Sequence, residues 1–368
     1  MEVNIKNTQH LDWKFDDNCK SIYKFGSKSG KYFQKYEDKE QIKLSNLNEL
    51  AIEYYRKAAI IHKIVRSAIK KKITTGTKYL EIVEEAANIM NKYIKPSDNG
   101  GFAFPLGISV NEISAHDSAM VDDDRILKKN DVVKIDLGIH VNGCIVDSAF
   151  TMIVDGDDDF VKMYTPLLNA TADATYTGIS MSRPDTELKE ISSAIQEVIE
   201  SYELENGTPI KAVWGLGGHN ILPYKVHGGK LILCVPHVSQ NNVRMKEDEV
   251  YAIETFASTG NGRVTQKNLS MCNHFMLSDS PRTTNKISET KNPVIRWVQN
   301  KNNNLPFTQL WCTEIKNTKE KISDGIREKT IIAHPPLCDV IGTYTSQLEH
   351  TIHIKENAVE ILSLGKDY

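Results

Sequence analysis

Five side chains in this 368-residue chain could together hold and use cations: Asp136, Asp147, His219, Glu254 and Glu349. Four carboxylates and one imidazole need about four positive charges to be neutralised, which two divalent cations supply. Carboxylates can bridge, so five residues suffice for two metals about 3.5–4 Å apart with a solvent molecule between them. Such a bridging water is acidified to near neutrality and becomes a hydroxide nucleophile, and amide hydrolysis follows naturally. Oxygen-rich sites of this kind accept Mn, Co, Fe or Zn.

The two aspartates must be positioned by a hairpin running from Lys134 to Thr151. Asn142-Gly143 is the signature of a two-residue type I′ turn, because both residues tolerate positive φ. Counting back from that turn pairs Val141 with Cys144, Gly138 with Asp147 and Asp136 with Ala149. The aspartates are then diagonal neighbours on one face, about 7 Å apart at Cα, and Gly138 leaves open space across from Asp147. Val133, Ile135, Leu137, Ile139, Val146 and Phe150 form the other face, which should pack on the core. A hairpin with one solvated face accounts equally well for this pattern taken alone, since Lys134 and His140 share the aspartates' side.

An internal repeat places the third acid. Leu127-Lys-Lys-Asn-Asp-Val-Val-Lys-Ile-Asp136 and Met245-Lys-Glu-Asp-Glu-Val-Tyr-Ala-Ile-Glu254 align without a gap, offset by 118 positions. Asp136 and Glu254 occupy equivalent places, which suggests two related βα halves facing each other across a central site. The fifth candidate, Glu349, lies in an alternating strand from Gly342 to Ile354. His219 sits with His227 in the glycine-rich stretch Val213 to Gly229, where glycines allow close backbone approach or simply a flexible loop.

The remaining elements are read from periodicity. Residues 1–44 are a polar extension without sustained period. From Ser45, a candidate N-cap, Leu50, Tyr54, Ala58, Ile61, Val65 and Ala68 mark one face of a long helix that closes at Lys70-Lys71-Lys72. Val83, Ala86, Met90 and Ile94 mark a second helix before Pro96, and residues 160–203 form two more, broken near Arg183-Pro184. Residues about 277–333, rich in Asn, Lys and Thr with helical patches, form an insertion. The domains are therefore 1–44 and a catalytic unit, 45–368, that includes the insertion.

Composition narrows the class. A formal net charge of −3 and 25% charged residues give no general pull towards nucleic acid or anionic membrane. No apolar run reaches transmembrane length, and the N-terminus lacks the order of a signal peptide, so a cytoplasmic protein is expected. Six scattered cysteines with no CxxC indicate neither a disulfide framework nor a thiolate zinc site.

Six motifs, in order, resemble those of type 2 methionine aminopeptidases: Ala103-Phe-Pro-Leu-Gly107, Lys134-Ile-Asp-Leu-Gly138, Ile145-Val-Asp-Ser-Ala-Phe-Thr151, Gly218-His219 with His227, Ala252-Ile-Glu-Thr-Phe-Ala-Ser-Thr-Gly260 and Gln347-Leu-Glu-His-Thr351. The resemblance runs from about residue 45 to the last residues. It implies an α/β (α+β) pita-bread aminopeptidase fold, with pseudo-twofold βα halves around a central antiparallel sheet and a helical insertion. It also implies two divalent metals (Mn, Co, Fe or Zn) on the five residues above, and removal of the initiator methionine from new polypeptides. Glu254 would accept the proton of the bridging water, His227 would hydrogen-bond the scissile carbonyl oxygen, and His116 would contact the leaving nitrogen or help relay a proton to it. The substrate's free amine would bind a metal. The methionine pocket would fall on Phe104, Gly107, Val226, Phe256 and His274, beside His116 and His227. An epoxide of the fumagillin class should then alkylate His116.

The partners implied are the N-termini of nascent polypeptides and, transiently, the ribosome, with no membrane and no specific nucleic acid, for a chain acting as a monomer. Two positions depart from the family pattern: Gly217 stands where Asn is expected before Gly-His, and His334 where Tyr is expected before Pro-Pro-Leu-Cys. The same fold serves proline-specific peptidases and non-catalytic binders. Against the first, 44 polar residues cannot make the folded N-terminal domain those enzymes carry. Against the second, the ligand set is complete.

Overall fold

The computed structural model describes residues 21–24, 34–35, 49–95 and 98–367. The expected N-cap at Ser45, Pro96 and most of the extension lie outside them. The elements that build the site are helices α1 (Glu49–Lys72), α2 (Tyr79–Tyr93), α3 (Asp158–Met181) and α4 (Leu188–Glu200). The strands are β1 (Gly107–Val110), β2 (Val132–Val141), β3 (Cys144–Ile153), β4 (Gly217–Ile221), β5 (Val250–Ser258), β6 (Thr345–Ile354) and β7 (Ala358–Ile361).

The hairpin forms in the expected register. Asn142 and Gly143 both take positive φ, 49° and 80°, and Gly138 stands opposite Asp147 while Asp136 stands opposite Ala149. β1 and the Gly100–Phe102 strand share the other edge of β2, completing a four-stranded antiparallel sheet. The second sheet centres on β5 and β6, with β4 and Leu231–Leu233 on one side and β7 followed by Ser21–Lys24 and Gln34–Lys35 on the other. Between the sheets, β3 and β6 are joined by side-chain hydroxyls. Asp147 N donates to Thr351 Oγ1, Ser148 Oγ to Glu349 O and Thr151 Oγ1 to Gln347 O, at 2.7–2.8 Å. These buried bonds fix the two sheets to each other.

The repeat is structural. Asn130 and Asp248, 118 positions apart, are both left-handed, with φ of 69° and 64°. Asp131 and Glu249 each accept from the backbone three residues earlier, Lys128 N and Lys246 N, at 2.7 and 2.8 Å. The correspondence reaches the helices: Leu127 exchanges backbone bonds with Gly76 and Thr77 at the α1–α2 turn, and Met245 does so with Asp185 and Thr186 at the α3–α4 turn. α1 packs on β2 and β3, α3 on β5 and β6. Each half is thus a helical hairpin laid on a pair of long strands, which leaves the opposite strand faces to meet at the centre.

The helical faces follow the periodicity closely. α2 buries Tyr79, Ile82, Ala86 and Met90 fully, with Val83 partly buried against the same core, and at the end of α1 Ile69 is more deeply buried than Ala68. Residues 272–331 have a second hydrophobic core of their own, built on Phe275, Val294, Ile295, Val298, Phe307 and Ile322. The Phe275–Leu277 and Ile331–Ala333 strands pair at its base. The five described cysteines are free and buried; Cys19 lies outside the described residues.

Candidate metal centre

Each acid of the centre comes from mid-strand. Glu254 on β5 and Glu349 on β6 face each other across the ladder, and His219 on β4 pairs with Ala252, two residues before Glu254. One ligand atom from each of Asp147, His219 and Glu349 lies within 4.8 Å of the others, and the same holds for Asp136, Glu254 and Glu349. All five expected ligands therefore converge, in two overlapping triads that share Glu349.

The donor set fits cations. Asp136 Oδ1, Asp147 Oδ1 and Glu349 Oε2 are buried with no hydrogen-bond partner among the described residues, a costly state for acids that no cation of those residues relieves. Burial pushes the Asp136 carboxyl up to about 6. Burial, then the charges of Asp136 and Glu254, drive Asp147 well above the usual range. Glu254 is raised by burial and Asp136, and Glu349 by burial and then Asp147 and Glu254. His219 is held well below its usual range by burial and by His227, so its imidazole is neutral, the form that ligates. Its Nε2 lies 3.8 Å from Asp147 Oδ2.

The expected pocket and catalytic positions surround this centre. His227 stacks on His219, with ring centroids 3.9 Å apart. His116 lies 5.4 Å from His274, which in turn stacks on Phe104 at 6.3 Å. Gly107 is opposite Asp136, where an added Cβ would come within 2.9 Å of the Asp136 Cβ. Phe256, two residues beyond Glu254, is registered against Gln347, and Val226 is buried beside His227.

Two details differ from the sequence reading. The space above Gly138 is filled: a Cβ there would meet the Phe104 ring at 2.2 Å, so glycine makes room for that ring. Lys134 and His140 are buried rather than solvated. Lys134 Nζ donates to Asn111 O and Val132 O, and His140 Nδ1 accepts from Gly143 N, so both serve the hairpin.

Sequence reasoning missed Gln347. Its Nε2 donates to Glu254 Oε1 at 2.6 Å and to Asp136 Oδ2 at 3.3 Å, tying together acids from the two halves. The signal was available, because Gln347 stands two residues before Glu349 and strand alternation puts both on one face. The departure at Gly217 also has a physical reason. Its φ is 151°, and a Cβ would lie 2.3 Å from Ile232 O, so the backbone approach of Leu231–Leu233 excludes the Asn side chain.

Comparison with known proteins agrees with this geometry. Residues 53–280 match Metallopeptidase family M24. Methionine aminopeptidase 2 of Paracoccidioides brasiliensis is 38% identical over 344 residues, covering 90% of this chain and 76% of that protein. Methionine aminopeptidase 2-1 of Neosartorya fischeri is 38% identical over 348 residues, 90% of this chain and 75% of its own. Among solved structures, a thermophilic Arx1 superposes with a TM-score of 0.73 at 16% identity, covering 88% of this chain and 93% of that one. A methionine aminopeptidase from Thermotoga maritima gives 0.59 at 21%, covering 87% and 98%. The two structures speak for the shared pita-bread fold, and the sequence matches place this chain in Metallopeptidase family M24, within its methionine aminopeptidase 2 branch.

Proposed function

We propose that this chain is an aminopeptidase that removes the initiator methionine from nascent polypeptides with two divalent cations. The two overlapping triads joined through Glu349 carry this reading. Asp147, His219 and Glu349 would hold one cation, and Asp136, Glu254 and Glu349 the other. Bound there, the cations would acidify a water molecule and polarise the scissile carbonyl. Glu254, oriented by Gln347, takes the proton from the attacking water. His227 hydrogen-bonds the carbonyl oxygen as it gains charge, and His116 contacts the leaving nitrogen or helps relay a proton to it. Phe104, Gly107, Val226, Phe256 and His274 enclose the methionine side chain.

Mn, Co, Fe or Zn all suit the donor set, and availability would select among them. No helix of the described residues is long and apolar enough to cross a membrane. A cytoplasmic monomer with transient ribosome contact, a polar extension over residues 1–44 and a catalytic unit over 45–368 complete the reading. Cleavage of Met-Ala-Ser against Ala-Pro with added Mn²⁺ or Co²⁺ tests it: methionine release is expected. Turnover of Ala-Pro alone would reject the substrate, and no metal-dependent turnover of either would favour a binding protein. An epoxide of the fumagillin class should alkylate His116, read by peptide mass spectrometry. An adduct elsewhere, or none at saturation, would take His116 out of the pocket.

A further inference from the structure

His334 stands beside His116 and His274. It follows the Ile331–Ala333 strand, its backbone N–H donates to His274 O at 2.9 Å, and buried Pro335 and Pro336 come next and restrict the chain. Its ring stands edge-on to His116 and to His274, 5.6 Å from each. Yet its Nε2 is buried with no hydrogen-bond partner among the described residues. Ser114 Oγ and Ser118 Oγ, which flank His116 in the chain, are in the same condition.

Apart from Asp248 Oδ2, the unpartnered buried polar atoms of the described residues lie on the acids, where cations satisfy them, and on His334 and the two serines that flank His116 in the chain. The second group offers hydroxyls and a neutral imidazole, with His116, His274 and His227 around His334. Such a surface suits an uncharged polar occupant. In the tautomer that carries its proton on Nε2, the N–H lacks an acceptor in every state except the one in which substrate supplies it. A thioether sulfur is a weak acceptor and a sulfoxide oxygen a strong one, while a methylene is none.

We propose that His334 is a specificity-determining residue whose Nε2–H donates to the side chain of the substrate's first residue, so that the site releases N-terminal methionine sulfoxide as well as methionine, and both ahead of norleucine. The proposal rests on the aminopeptidase reading above. It extends that reading to an oxidised substrate and assigns the discrimination to one nitrogen. One neutral hydrogen bond changes kcat/KM by about threefold to tenfold, and the stronger sulfoxide acceptor lies at the upper end.

The test compares Met-Ala-Ser, Met(O)-Ala-Ser and Nle-Ala-Ser as substrates of the Mn²⁺-loaded full chain, wild type against His334→Phe and His334→Gln. Wild type should prefer methionine over norleucine by about threefold to tenfold and also release methionine sulfoxide faster than norleucine. His334→Phe should bring methionine and norleucine to near parity and slow sulfoxide release about tenfold, while norleucine turnover reports that the variant is folded. His334→Gln, which retains a donor, should recover part of both preferences. A His334→Phe enzyme with norleucine turnover and wild-type ratios overturns the proposal while leaving the aminopeptidase reading intact. A His334→Phe enzyme that loses all three substrates, with His334→Gln at norleucine-like rates for each, also overturns it. Wild type without release from any of the three overturns both.

Discussion

Glu349 and Glu360 lie on neighbouring strands, β6 and β7, and each is 1% exposed, yet their surroundings are opposite. Glu360 meets Arg56 Nε at 2.9 Å, Arg56 Nη2 at 3.0 Å and Lys355 Nζ at 2.6 Å. Burial alone would raise its pKa, but the Arg56 hydrogen bond and the Lys355 charge more than reverse this and hold it near 2. Glu349 has carboxylates for neighbours and is driven upwards. Asp117 and Asp123 both pair with Arg125, which brings Asp123 below its usual range, while burial still keeps Asp117 raised. A buried acid that carries its own cation is part of the framework. A group of buried acids without one is waiting for a cation from solution, and this difference separates the candidate site from the other charged clusters.

Changing both acids in the same way should expose the contrast. Glu349→Gln touches both triads, so it should lower methionine release on the order of a thousandfold and reduce bound metal measured by elemental analysis. Glu360→Gln should leave metal content at the wild-type level, and equal metal loss in the two variants would erase the distinction. Next in size, Arg56→Ala breaks a buried pair and should cost about 3 kcal/mol in urea unfolding, with activity per folded molecule unchanged. A parallel loss of specific activity would join the two regions into one.

Acid should act on the Glu360 cluster in a defined direction. Its folded pKa lies below its ordinary value, so its stabilisation is present above about pH 4.5 and is lost as pH falls through about 2. The stability gap between wild type and Glu360→Gln, about 2–3 kcal/mol at pH 6, should therefore narrow steadily below pH 4.5. A gap that stays constant to pH 2.5 would mean that charge is not what Glu360 contributes. The smallest effect is expected at Gly217→Asn, about 1–2 kcal/mol from the contact with Ile232 O, read as a lowered Tm. An unchanged Tm would show that the Leu231–Leu233 strand yields easily.

What could be read from the sequence had a local signal. The Asn142-Gly143 turn set the register that brings Asp136 and Asp147 to one face, and the 127–136 and 245–254 repeat identified the equivalent acids of two halves. The rest depended on contacts between distant segments. Arg56 and Glu360 are 304 positions apart, and neither shows in sequence that the other will neutralise it. Lys134 and His140 look like surface residues until the hairpin's second face is covered. The ring of Phe104 over Gly138 was invisible because a glycine specifies available room, not what fills it. Gln347 was within reach of strand alternation, and attention to charge passed over a neutral amide.

The sharing of Glu349 between both triads has a consequence for biosynthesis. Arg66, wholly buried in α1, is likewise held by Asp367, 301 positions later, with contacts of 2.7 Å to each carboxylate oxygen. A ribosome must therefore release the chain through Glu349 before either cation cage is complete, and through Asp367 before the Arg66 guanidinium is held. Growing copies that have not yet reached these residues would be inert.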